Sequence, residues 1–472
     1  MKTYFTILII ALQLGACNAQ PSSATLNKEE VSKKTDQRVK EYIDSGIFSG
    51  VVLVAEKGKP IYHKAFGLAD RENHIPNTVN TLFDIGSMNK TFTSIVVKQL
   101  IAEGKLKYSD KLVDYVDGFE DPMVAKVTVE HLLSHESGFR DYHSMDYFDL
   151  PREERSLHKI VERLKKEQLM FPPGEENEYS NAGYVLLGAI IENASGKSYF
   201  DNVKQRIIEP LGLKNTYVEN LDRFKNRVAY GYFYSPLGVL EKNSTMQDLP
   251  NPDGGFLSTT TDILKFYRAY YYDDILLDEK MKSQDPFFQW IRELPKGKAP
   301  SMAGGFEGFN TAFYQVLSDD RSIIVFANMD EPVAEHLALG ILQITRGEEP
   351  DHPKLPAIQN VRKAFEEKGV EFIKQNFESL TTNYHPADPK EWIINSLGYA
   401  YLHRKEDVDS AIKLFKLNTE LFPDTGNCWD SYGEALLEKG NKKEALKAYK
   451  KALKINPNIP SAKKAVKKLE GK

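Results

Sequence analysis

The chain is 472 residues long, more than one hydrophobic core ordinarily serves, so two or more domains are expected. Hydrophobic residues make up 41% and charged residues 27%, a globular balance that argues against a disordered or collagen-like protein. The formal net charge of -5 leaves no overall cationic field, which argues against a nucleic-acid partner.

At the N-terminus Lys2 precedes the apolar run Phe5 to Leu12, followed by Leu14, Gly15, Ala16 and Cys17. The run is too short to span a bilayer as a stable helix, and the small residues before Cys17 make 1–17 read as a signal peptide with a lipobox. Cys17 is then the expected lipidation site, and the protein an exported periplasmic or cell-surface lipoprotein. Ordinary cleavage after Ala19 is the alternative, and export is common to both. The second cysteine, Cys428, has no partner, so no internal disulfide is expected.

Residues 26–44 carry Val31, Val39, Tyr42 and Ile43 at amphipathic helical spacing. Gly50 to Ala55 and Pro60 to Phe66 are strand-like runs joined by the hairpin signal Lys57-Gly58-Lys59. Residues 88–103, with Ile95, Val96, Val97, Leu100 and Ile101, form a helix apolar enough to be buried. A helix-rich stretch follows to about residue 215. Asn310 to Leu317 and Ser322 to Asn328 are strand-like again, divided by Ser318-Asp319-Asp320-Arg321, and 333–346 is helical. Strands at both ends of a helical middle must meet in one sheet. The expected fold over 26–346 is therefore α/β (α+β), an antiparallel sheet flanked by helices plus an all-helical subdomain.

Residues 347–388, opening with Gly347-Glu348-Glu349-Pro350, read as a helical linker. In 389–470 the residues Trp429, Tyr432, Gly433, Leu436, Ala445, Tyr449, Ala452 and Pro457 fit the tetratricopeptide pattern of 34 residues. An earlier copy has Leu397, Gly398, Tyr401, Ala411, Phe415 and Pro423. Gly398 precedes Gly433 by one residue more than Ala411 precedes Ala445, so one residue is inserted between the helices of the first copy. Helices at 359–383 and 461–469 are expected to cap the pair, and the repeats to serve a protein partner. The lysine-rich stretch from Lys439 onward reads as a solvated helix face.

Ser87-Met88-Asn89-Lys90 opens the buried helix, and three residues are about one turn, so the two side chains share a face. A serine hydroxyl needs a base before it can attack, and a lysine beside it is one. Ser156/Lys159, Ser410/Lys413 and Ser461/Lys464 have the same spacing in polar helical surroundings and read as structural. Tyr179-Ser180-Asn181 is the only Tyr-x-Asn in the chain. Tyrosine can relay a proton and asparagine can hold an amide carbonyl, which suits acyl transfer. His131 and His135 lie four apart, yet no third ligand accompanies them, so no metal or cofactor is expected. Cys428 reads as buried filler.

Ser87-x-x-Lys90, Tyr179-x-Asn181, the stretch His131 to Phe139, the run Gly254 to Thr259, and Gly304-Gly305 with Gly308-Phe309 together resemble the serine β-lactamase-related, penicillin-binding-protein-like family over about residues 26–346. The resemblance implies a β-lactamase/transpeptidase-like fold and hydrolysis through an acyl-serine, with Ser87, Lys90 and Tyr179 catalytic. It further implies an oxyanion hole from the backbone N–H groups of Ser87 and Gly305. Where that family has Lys or His, then a small residue, then Gly, this chain has Met302-Ala303-Gly304. Loss of that cation favours neutral esters or amides over β-lactams and D-alanyl-D-alanine or other D-amino-acid peptides, which stay as the alternative substrates. A crippled site that only binds, as a sensor or scaffold, is the alternative of another class.

Overall fold

The computed structural model describes residues 27–471 apart from 145, 146, 148, 149, 220–223, 225, 244–248, 331, 383 and 385–388. Cys17 and the expected signal peptide lie outside the described residues. The chain divides into two compact units, one holding residues up to 232 and 242–352, the other 233–241 and 353 onward.

In the first unit the elements that position the site are α1 (Lys28–Asp44), β1 (Gly50–Glu56), β2 (Lys59–Phe66), α2 (Asn89–Ala102), α3 (Asn181–Ser195), α4 (Thr260–Tyr272), β3 (Ser301–Phe306), β4 (Phe309–Val316), β5 (Arg321–Ala327) and α5 (Val333–Thr345). The five strands form one antiparallel sheet in the order β2-β1-β5-β4-β3. As the two-ended strand pattern requires, the N-terminal hairpin meets the C-terminal strands at the centre, where Val52 of β1 lies opposite Val325 of β5. The edge is left to β3.

The central strands carry unbroken apolar runs, Val51–Ala55 in β1 and Ile323–Ala327 in β5, and β5 is buried at every position. A strand with no polar alternation needs cover on both faces. Helix α5 supplies one cover, lying on β4 and β5 with α1 against it, while α4 lies against β1 and β5. Val51, Leu53 and Ala55 of β1 join Ile324 and Phe326 of β5 in the main core with Phe92 of α2 and Val185 of α3. There Phe92 stacks on Phe266 of α4 with ring centroids 3.8 Å apart. Phe83, four residues before Ser87, meets Phe326 edge-on at 5.7 Å. The segment leading to Ser87 is thus fastened to the middle of the sheet.

Among the described residues, the second unit is helical apart from its share of the short strands Tyr232–Tyr234 and Leu240–Lys242. Its helices are α6 (Ala357–Leu380), α7 (Glu391–Tyr399), α8 (Val408–Leu421), α9 (Gly426–Glu438), α10 (Lys442–Ile455) and α11 (Pro460–Leu469). The two glycines at equivalent repeat positions each face a ring: a Cβ on Gly398 would lie 2.6 Å from Phe415, and one on Gly433 3.0 Å from Tyr449. The inserted residue of the first repeat falls elsewhere than the sequence indicated. It is absorbed as a π-helical turn, Ala400–Arg404, that prolongs α7 itself. One extra residue widens a helix turn without breaking its hydrogen bonds, which a loop insertion would not need to do. Helices α6 and α11 cover the ends as expected, with Val361 and Phe377 in one core and Ala462 in the next.

Phe326 ties the central strand to the segment before Ser87, so Phe326→Ala should cost about 3–5 kcal/mol in the unfolding of the first unit. Chemical denaturation followed by near-ultraviolet circular dichroism measures it; a loss under 1 kcal/mol would show that the ring is not a core anchor.

Candidate active site

Ser87 lies in a single 3-10 turn, Gly86–Met88, that runs straight into α2. The turn is set by Gly86, whose φ is +50°, and by the Gly86 N–H donating to Asp84 Oδ1 at 2.8 Å. One helical turn on, Lys90 Nζ donates to Ser87 Oγ at 2.9 Å. Lys90 is only 7% exposed, so protein groups must replace its water. Asn181 Oδ1 accepts from it at 2.6 Å and the Asp253 main-chain carbonyl at 3.0 Å. Three acceptors match the three N–H groups of an ammonium. The same geometry also suits the neutral amine, with N–H groups on Asn181 and Asp253 and the lone pair on Ser87. Lys90 can therefore take the Ser87 proton without giving up its other two partners.

Tyr179 brings its hydroxyl to 2.6 Å from Ser87 Oγ and 3.4 Å from Asn181 Oδ1. Its ring stacks on His135 with centroids 4.7 Å apart and lies 4.9 Å from Lys90 Nζ. The fold thus brings Ser87, Lys90, Tyr179 and Asn181 into one hydrogen-bonded cluster. Asn181 is oriented by its other end, where Nδ2 donates to Asp141 Oδ2 at 2.7 Å and lies 3.2 Å from His143 Nδ1.

The edge strand β3 comes directly against the Ser87 turn. A Cβ on Gly304 would overlap Ile85 O and lie 2.9 Å from Ser87 N, so only glycine fits there. Thr311 Oγ1 on β4 is 3.2 Å from the carbonyls of both Ile85 and Gly304, tying the two segments. A Cβ on Gly86 would in turn lie 2.7 Å from Gly305 N, so the backbones carrying the Ser87 and Gly305 amides are adjacent. Met302 is half-buried on the same strand, opposite Phe313, with Sδ 4.0 Å from Thr91 Oγ1. An apolar thioether thus stands beside Lys90's helix. Arg140, the nearest cation in sequence to the His131–Phe139 stretch, is exposed.

His131 and His135 serve separate neighbours. His131 Nδ1 accepts from Thr128 N at 3.3 Å, closing the cap of a short helix, while His135 Nδ1 accepts from Ser180 N at 3.2 Å and so holds the Tyr179 loop. Cys428 lies in the other unit, where burial pushes its thiol up to about 12, leaving it a thiol at neutral pH.

Sequence reasoning missed the loop at 251–253. The carbonyls of Asn251, Pro252 and Asp253 accept in turn from Asn89 Nδ2 at 3.1 Å, Thr93 Oγ1 at 2.6 Å and Lys90 Nζ at 3.0 Å, all on α2. The signal available was the buried polar set Asn89, Lys90, Thr91 and Thr93 at the start of a helix whose core face is apolar. Buried polar groups must be paired, so such a set announces a partner segment without saying which.

Residues 35–342 match the β-lactamase family and residues 426–459 the tetratricopeptide repeat. Over 341 residues the chain is 33% identical to penicillin-binding protein 4* of Bacillus subtilis, covering 66% of this chain and 75% of that one. It is 30% identical over 300 residues to the teichoic acid D-alanine hydrolase of Staphylococcus aureus, covering 62% and 72%. Among solved structures, the octameric penicillin-binding protein homologue from Pyrococcus abyssi superposes with a TM-score of 0.59 at 24% identity, covering 70% of this chain and 80% of that one. This last likeness is one of fold.

The His135 ring yields a pH prediction. Burial first, then the charge of Lys90, pushes its proton affinity down to a pKa of about 3. An unfolded histidine binds a proton near pH 6.5, so below that the unfolded state takes up a proton that folded His135 refuses. Stability is therefore full above about pH 6.5 and falls toward pH 3 by up to about 1.4 kcal/mol per pH unit. Asparagine tolerates the φ of +59° at this position and can accept from Ser180 N. Denaturation of His135→Asn between pH 7 and 4 should show a flatter slope than wild type; equal slopes would contradict this.

Proposed function

The chain belongs to the β-lactamase family of serine hydrolases, and from that premise we propose that it hydrolyses an ester or amide through an acyl intermediate on Ser87. The observation that carries this reading is the cluster in which Ser87 Oγ lies 2.9 Å from Lys90 Nζ and 2.6 Å from Tyr179 OH. Lys90 takes the hydroxyl proton as Oγ attacks the carbonyl carbon. The backbone N–H groups of Ser87 and Gly305 receive the oxyanion, usually a large part of the rate enhancement. Tyr179 passes a proton to the leaving group, and the same pair activates water to release the acyl group. Asn181 holds Lys90 by Oδ1 and borders the acyl side of the substrate.

Substrate class is read from Met302. A lysine or histidine there would give a substrate carboxylate a charge-assisted hydrogen bond of about 1.5–3 kcal/mol, whereas a thioether gives an apolar wall. That is roughly ten- to more than a hundredfold in rate. The favoured substrates are therefore esters or amides without a carboxylate beside the scissile bond, and an alanyl ester belongs among them given the relative named teichoic acid D-alanine hydrolase. The likeness to penicillin-binding protein 4* favours the second reading, a β-lactamase or D-amino-acid peptidase. We also propose export with a lipid on Cys17, and a protein partner for the repeats.

A panel of short esters, alanyl esters, D-amino-acid peptides and a cephalosporin distinguishes these readings. Wild type should prefer the esters, Ser87→Ala should turn over none, and Met302→Lys should move the ratio of kcat/KM values toward the carboxylate-bearing substrates. A wild type faster on the cephalosporin than on any ester would favour the second reading, and undiminished turnover by Ser87→Ala would defeat both. For the anchor, metabolic labelling with a palmitate analogue should mark wild type and spare Cys17→Ala; export without label in both would leave an ordinary signal peptide.

A further inference from the structure

One charged group at the site has no part in the chemistry above, the carboxyl of Asp253. Its side chain is 3% exposed. Oδ2 accepts from Tyr142 OH at 2.8 Å, and among the described residues Oδ1 has no hydrogen-bond partner. A buried carboxylate with one oxygen unmet is costly unless an opposite charge compensates it. Lys90, whose Nζ lies 3.0 Å from the main-chain oxygen of the same residue, is the cation that most favours the charged carboxyl. The loop cannot drift from Lys90, since the two carbonyls before it are held by Asn89 and Thr93.

The ionisable groups facing Asp253 come from several elements. Lys90 on α2 and His143 on the loop after Gly138 favour its charged form, Tyr142 donates to it, and Asp141 opposes it. Tyr199, with its own hydroxyl 2.7 Å from Thr93 Oγ1, is near enough that the Asp253 charge disfavours its ionisation. Around Lys90 itself stand Tyr179, Tyr184 and His135. None of these is a carboxylate, so within the cluster the negative charge available to the lysine comes from Asp253 and, through Asn181, from Asp141.

We propose that Asp253 is a positioning residue whose carboxylate is the counter-charge of Lys90, so that the pair, rather than the lysine alone, sets the pH range in which Ser87 becomes nucleophilic. The proposal rests on Ser87 as nucleophile and Lys90 as its base. Burial pushes the Asp253 carboxyl up, and Lys90 is the foremost of the groups that favour its charged form. When Ser87 gives its proton to Lys90, a neutral amine becomes an ammonium and the hydroxyl oxygen takes on negative charge. A carboxylate nearby favours that ammonium, which has two consequences of opposite sign. It strengthens the base in its neutral form, and it keeps the lysine protonated, hence inactive, to higher pH.

The test is the rate at which a fluorophosphonate attaches to Ser87 of the full chain between pH 5 and 9. In Asp253→Asn, which keeps the shape and can still accept from Tyr142, the plateau at high pH should fall severalfold. The midpoint of the acid limb should move down by about one pH unit, so that at the acid end the rate relative to its own plateau rises about tenfold. Tyr142→Phe, which removes the donor that favours the charged carboxyl and so leaves less charge on Asp253, should give a smaller shift in the same direction and carries the test if the asparagine variant does not fold. Acid limbs that coincide in wild type and both variants, with only the plateau changed, would reduce Asp253 to a packing residue and overturn the proposal. Attachment that persists at the same rate in Ser87→Ala would instead defeat the reading on which it rests.

Discussion

A lysine side chain buried next to a serine sets the terms for everything around it. Lys90 has left water, and a buried ammonium is tolerated only where every N–H finds an acceptor. Its three acceptors come from three separated stretches of chain: the turn of Ser87, the start of α3 at Asn181, and the loop at Asp253. The start of α2, the Tyr179 loop and the 251–253 loop must therefore converge on one point. The helix that carries Lys90 is anchored in turn by Phe92 on Phe266 and by the contact of Phe83 with Phe326 of the sheet. Site and core are held by the same few segments, which is how a fold keeps a proton-transfer geometry within tenths of an ångström.

The sheet contributes by what it leaves at its edge. Its centre is closed by β1 and β5 from the two ends of the unit, and β3 is left with one free side running past the Ser87 turn. Close approach there depends on Gly304, where any side chain would strike Ile85 or Ser87. Adjacent to that contact, Met302 replaces a cation with a thioether. The close contact that fixes the Ser87 turn and the side chain on which the proposed substrate choice rests thus sit two residues apart on one strand.

Much of this was legible in the sequence because it rests on local spacing. The Ser87-x-x-Lys90 turn, the Tyr179-x-Asn181 pair, the paired hairpins at the two ends of the sheet and the repeat positions all follow from periods of two, three to four, or 34 residues. The parts that escaped are those where a partner lies far along the chain. Nothing in the local pattern marks Asn251, Pro252 and Asp253 as acceptors for α2, or Asp141 and His143 as the far side of Asn181. The repeat spacing shows one extra residue in the first copy and points to the interhelix turn, because spacing fixes how many residues intervene and not whether they widen a helix or a loop. Its place in a π turn follows from the need to keep both Gly398 and Ala411 in the core.

The proposed hydrolysis requires Ser87 to form a covalent bond to the acyl group with Lys90 as its base. Rapid quenching of the full chain during turnover of an ester, followed by peptide mass spectrometry, measures this directly. An acyl mass on the peptide containing Ser87, accumulating in wild type and absent in Lys90→Met, is the expected result. Ester turnover with the acyl mass on another residue, or with an undiminished adduct in Lys90→Met, would contradict it.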